Sequence, residues 1–475
     1  MRRSAILALA VLAGLLASSG PAAARWSDPV LITPRDVYTA YVADLAVGRT
    51  GDVAAIVESY SAPEGLLVYS SHDRGPFEWE KVNDSGGESP AIGFDRQGAT
   101  LVLSHRVDDD NAIRLYSKPR GGSFGTARLL DLRPGYPAGI ATSPTGEVFA
   151  YWTGTNAQGT ASTSLRIAVR PAGSEDFGPV QDLSAPNLDA RSRAPQIVFN
   201  RAGDALILWT VAGRLEYAIR HPGEAFGPTV VLSASVGDAY DLASTAVGRA
   251  VAVWRDRERR EIRASFGSVA GGFGQSSRIG GRATRGPEVV VNRLGESVAA
   301  WRTGGYRTGA SSERVRAAVA EPGAGFGAPR VVYTGFVDRL ELAADGHGTA
   351  TVAWLSGSRL LAARHTAGKR GSFALETVGQ SNVRGYSIGA TRDGRTVLAW
   401  KAFAKHGSKR VKAAIAHARR PFGPVRNLGR LGRVASFRQD PYVSVGGDGG
   451  AFVWWGVERE TEPQKVWFAG RYLLP

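Results

Sequence analysis

The chain has 475 residues, 43% of them hydrophobic, a formal charge of +15 and no cysteine. That apolar content excludes an intrinsically disordered chain, and the missing thiols exclude a disulfide framework, a cysteine metal site and thiol catalysis. Only 8 of the 58 basic residues are lysine; such a charge bears on association and solubility rather than on fold.

The N-terminus reads Arg2, Arg3, an apolar run from Ala5 to Ala17, then small residues to Ala24. This is the order of a secretory signal. Residues 1–24 are therefore expected to be removed, and no later run approaches the roughly 20 apolar residues of a membrane span. The expectation is an exported, secreted protein without a membrane span, whose stability rests on a large core.

After the signal, RWSDPVLIT (25–33) is one short β-rich run with no partner run beside it. From there a repeat takes over. Glycine stands six residues before tryptophan at Gly146 and Trp152, Gly203 and Trp209, Gly248 and Trp254, Gly295 and Trp301, Gly348 and Trp354, Gly394 and Trp400, Gly449 and Trp455. Two earlier units keep the glycine but end in Val57 and Ser104. The period of 45 to 57 residues is that of propeller blades. Each unit divides into four runs, as in 195–233: an apolar run, a tight turn at Asn200–Gly203, a run ending in Trp209, a third run Arg214–Arg220, and a fourth begun by Phe226. Short β-rich runs between Gly, Pro and Asn are hairpin strands. The fourth run opens with an aromatic at Phe77, Phe124, Phe177, Phe226, Phe273, Phe326, Phe373 and Phe422.

The ninth unit has three runs, the last being VWFAGRY, and Trp26-Ser27-Asp28-Pro29 aligns without a gap on Phe326-Gly327-Ala328-Pro329. The N-terminal run thus supplies the missing strand. The expected fold is all-β, a single β-propeller over 26–475 with about nine four-stranded blades, eight being the alternative, closed by the N-terminal strand pairing in the last blade. Closure removes the open edges that invite aggregation, and a monomer is expected.

Residues Ser71-His72-Asp73-Arg74-Gly75, followed by Phe77 and Trp79, resemble the Asp-box of sialidase-like propellers. The resemblance implies the repeat architecture and not chemistry: in that family the box is a folding device on a hairpin, and its Arg-Ile-Pro motif is missing here.

Propellers bind ligands at the channel mouth, on the face carrying the loops between blades. Ten residues before each turn glycine, where each first strand should emerge at that mouth, stand Tyr41, Glu88, Tyr136, Arg193, Asp238, Arg285, Asp338, Arg384 and Gln439. Arg339 and Arg438 lie one place off. None of the nine is aliphatic, and from the fourth to the eighth they alternate Arg and Asp. Two readings follow: the alternating charges pair across blades, or the arginines hold the carboxylate or other anion of an acidic glycan, for which guanidinium forks are suited. A sialidase-like glycoside hydrolase is the catalytic alternative, because Arg193, Arg285 and Arg384 with Asp238, Asp338, Tyr41, Tyr136 and Glu88 offer the residue types such enzymes use. A structural cell-envelope protein is a third. No catalytic residue is assigned.

Asp108-Asp109-Asp110-Asn111 lacks the spacing of a calcium loop. The seven histidines show no metal-ligand spacing. No cofactor or metal is expected. The basic stretches around Lys401–Lys412 and Arg255–Arg263 carry no interleaved aromatic platform, so nucleic acid is not an expected partner; an acidic glycan or a protein is.

Overall fold

The computed structural model describes residues 26–33, 39–59, 65–84, 89–105, 112–155, 162–184, 194–237, 239–281, 283–304, 313–369, 371–380, 382–403, 409–430, 440–446, 450–459 and 462–473. They form nine four-stranded antiparallel blades in a ring, with strands but no helix among them. Blade 1 is Thr39–Val47, Val53–Ser59, Gly65–Ser71 and Glu78–Asn83, in that spatial order. The other blades repeat it, except that the outer strand of blade 5 is broken into Gly272–Phe273 and Ser277–Gly280. First strands of neighbouring blades pack on one another around the axis.

The repeat follows from local chemistry. Eight of the turn glycines between first and second strands, Gly51, Gly98, Gly146, Gly203, Gly248, Gly295, Gly348 and Gly394, have φ between +83° and +102°, a region that penalises any side chain with a Cβ. Three residues earlier, a short polar side chain accepts the N–H of the residue after the glycine: Ser143 from Glu147, Asn200 from Asp204, Asn292 from Glu296, Asp345 from Thr349. The turn is thereby closed by its own side chain.

Nine apolar clusters fill the nine gaps between blades. The seven motif tryptophans are all buried, each in the cluster shared with the preceding blade. The aromatic that opens each outer strand joins the same cluster. Trp26 occupies that place between blades 8 and 9.

Ring closure is therefore a repeat of the ordinary blade. Val30 pairs with Gly470 and Leu31 with Ala469, and Trp26 bridges Leu473. The Ser27 N–H donates to the Tyr472 carbonyl at 2.9 Å, as Gly178 does to Val169 and Gly227 to Ile219 in their blades. Ile32, 1% exposed, packs between blades 9 and 1. The box-like turn lies in blade 1, with Asp73 and Arg74 at φ +50° and +63° and the Ser71 hydroxyl donating to the Gly75 carbonyl at 2.7 Å.

Candidate functional site

The first strands of blades 6, 7 and 8, Ala283–Val291, Asp338–Ala344 and Val383–Ala390, begin at the channel mouth. Arg285, Asp338 and Arg384, within the first three residues of these strands, are all exposed. Among the described residues none of the three forms an ion pair with another. Asp338 instead accepts the N–H of Arg339 at 2.9 Å. Tyr136 stands at the equivalent place in blade 3, half-buried, its ring edge-on to His105 of blade 2 at 5.1 Å. Tyr41 lies in the first strand of blade 1, opposite Glu58. Glu88, Arg193, Asp238 and Gln439 lie outside the described residues, as do Asp108 to Asn111.

Interblade ion pairs do exist, at the opposite end of the ring. There the carboxylates beside the turns meet cations at the ends of the next blade's third strand: Asp52 with Arg120 at 3.1 Å, Asp95 with Arg170 at 2.8 Å, Glu147 with Arg220 at 2.8 Å and Glu296 with His365 at 3.0 Å. Both partners of the Glu147–Arg220 pair are almost fully buried. Four interblade pairs thus clasp the turn end, while Arg285 and Arg384 form no ion pair among the described residues.

Inside the mouth sits a constellation that counting back ten residues does not find. Arg339 occupies a bulge, with the register shifting between Asp338 and Leu340 and φ at +48°, a conformation rare for a side chain of this size. Its guanidinium meets the Asp440 carboxylate, lies 3.5 Å from Glu341 and stands over the Tyr386 ring at 5.8 Å. Lys401, buried on the second strand of blade 8 opposite Gly385, reaches Asp440 at 2.8 Å. Gly385 makes this possible, because a Cβ there would fall 1.8 Å from Asp440 Oδ1. Burial inside the channel raises the Glu341 carboxyl to about 7, against a smaller opposing pull from Arg339. Burial also pushes the Tyr386 hydroxyl well above its ordinary range, and that hydroxyl donates to the Ala353 carbonyl at 2.8 Å.

Glu341 belongs to a ladder seven residues before the turn glycines. The Ile92 N–H donates to Asp44 at 3.0 Å, Val289 to Asp241 at 2.9 Å, Leu342 to Glu288 at 3.2 Å and Val443 to Ser387 at 3.1 Å; Ile388 donates to Glu341. In each case a polar side chain of one blade caps a free N–H on the innermost strand of the next, which would otherwise be an unpaired edge group. Burial raises the Asp44 carboxyl as well. The recurrence of Asp44, Asp241, Glu288 and Glu341 at one spacing was the sequence signal for this layer. Lys401 and Asp440 carried none.

Among the described residues no group of three or more His, Asp or Glu side chains could hold a metal ion, and no helix is long and apolar enough to cross a membrane.

No family model and no curated protein matches this chain. Solved structures do. A eukaryotic initiation factor aligns over 85% of this chain and 91% of its own, at 10% identity and a TM-score of 0.53. The likeness is one of fold alone. The Dos1 propeller covers 95% of both chains at 8% identity and a TM-score of 0.47, and an ulvan lyase, a polysaccharide lyase, covers 83% of this chain and 96% of its own at 11% and 0.41.

Proposed function

We propose that this chain is an exported β-propeller that acts as a binding module, taking acidic glycans or other anions at the mouth of its central channel. Arg285 and Arg384 carry the reading: both are exposed at the start of innermost strands, and neither meets a carboxylate among the described residues. An arginine without a counter-ion at a concave mouth is ready to accept a carboxylate or sulfate through paired N–H donors. The overall charge of +15 favours approach of such a ligand. Export rests on the charged, apolar and small-residue order of residues 1–24.

A glycan-array screen of the mature chain tests this. Binding of uronate- or sulfate-bearing glycans that falls about tenfold in Arg285→Ala and again in Arg384→Ala supports it. Binding that is indifferent to both changes refutes the mouth as the site.

A glycoside-active enzyme is the second reading. It is favoured by Glu341, whose carboxyl is held at about 7, as a general acid requires. Tyr386 weighs against it, because a hydroxyl raised by burial and donating to Ala353 is not an activated nucleophile. Turnover of fluorogenic glycosides, lost in Glu341→Gln, would establish the enzyme.

A further inference from the structure

The blades can be compared with one another, and one interblade groove has lost what its counterpart keeps. In blade 3, Arg166 lies opposite Trp152 on the neighbouring strand and is only 7% exposed. Two carboxylates hold it: Asp131, at the end of the outer strand of blade 2, at 3.2 Å, and Asp182, its partner on the outer strand of blade 3, at 3.0 Å. In blade 6 the corresponding arginine is Arg316, opposite Trp301. Asp131 pairs with Ile113 in its blade and Gly280 with Ile262 in blade 5, so Gly280 takes the place of Asp131. Arg316 itself pairs with Val331, which takes the place of Asp182. The arginine has been kept and both of its counter-ions are gone.

The vacated space is a cavity of about 560 Å³ between blades 5 and 6, lined by Arg278, Gly280, Gly281, Thr303, Arg314 and Arg316 among others. Arg314 and Arg316 form no ion pair with any described residue, and Arg278 shares Glu261, at 3.3 Å, with Arg263. The adjoining stretches outside the described residues, 282 and 305–312, contain no Asp or Glu. Three guanidinium groups from two blades therefore face one opening with a single shared carboxylate. A planar carboxylate offers two acceptor oxygens, whereas a sulfate ester or phosphate monoester offers three, a closer match to three separate donors.

We propose that the groove between blades 5 and 6 binds an oxyanion, the sulfate or phosphate ester group of a ligand, in the place that Asp131 and Asp182 fill beside Arg166. This site is separate from the channel mouth and stands or falls independently of it.

The test is calorimetric titration of the mature chain with inorganic sulfate, inorganic phosphate and acetate, followed by glucose 6-sulfate and glucose 6-phosphate to distinguish the two ester sources. A saturable site for sulfate or phosphate that persists when Arg285 and Arg384 are both changed to Gln is expected, with acetate weaker there by about tenfold. Arg316→Gln should weaken binding about tenfold. Val331→Asp, at an exposed outer-strand position, restores a carboxylate beside Arg316 and should abolish binding without disturbing the fold. Arg285→Gln and Arg384→Gln should leave it unchanged, so failure here and failure at the mouth are read apart. Absence of saturable binding, or equal binding in Arg316→Gln and Val331→Asp, overturns the proposal.

Discussion

A carboxyl group that keeps its proton to about 7, as Glu341 does, ties the stability of the fold to pH in a direction opposite to most paired acids. The folded chain binds a proton that the unfolded chain has released above its ordinary value of 4.5, so this contribution is present in acid and is lost as pH rises from about 4.5 to about 7. Glu341→Gln keeps the shape and removes the titration. Its stability should therefore fall less than that of the parent across this window, by at most about 3 kcal/mol, measured by denaturant unfolding at pH 4.5 and 7.5. Parallel curves for the two proteins would show that Glu341 titrates normally. The site around it was only half legible. Arg285, Asp338 and Arg384 could be counted to the beginnings of the first strands of blades 6, 7 and 8. Arg339 sits in a bulge that shifts the count by one, and Asp440 is brought to it from two blades away by the curvature of the ring.

At the level of the strand and its turn, legibility was greater. The six-residue interval between turn glycine and tryptophan sets the tryptophan at one fixed point of the second strand, and it places the indole ring in the gap to the preceding blade. Glycine is enforced by φ and tryptophan by the volume to be filled, so both stand out against a sequence that otherwise varies. Trp254→Ala should cost about 3–5 kcal/mol through the cavity it leaves, seen as a marked loss in melting temperature. Trp79→Ala, on an outer strand and 48% exposed, should change little. Comparable losses for the two would contradict the packing assigned here. Features set by tertiary context were less legible: nothing in the sequence announces that the outer strand of blade 5 breaks between Phe273 and Ser277, and the polar residues that recur seven places before the glycines do not themselves reveal that they cap the next blade.

For the whole molecule the informative feature is the clasp formed by Trp26 to Ile32 on the third strand of blade 9. It could be read in the sequence because a strand that completes a repeat must carry that repeat's marks, and Trp26 occupies the position of Phe326. A chain beginning at residue 34 should lose on the order of 5 kcal/mol from the apolar groups of Trp26, Val30 and Ile32. It should also expose the edge around Ala469 to Leu473. A lower melting temperature and concentration-dependent association by light scattering are expected; an unchanged, monomeric melt would refute the clasp. Blades 1 to 8 are each contiguous in the chain and can assemble in order during synthesis. Blade 9 is the exception, and its outermost strand is made first and finds its partner last. The ribosome must deliver nearly the entire polypeptide before the two ends can meet, so any chaperone that escorts the nascent chain has to guard an aromatic-bearing leader for the full length of translation.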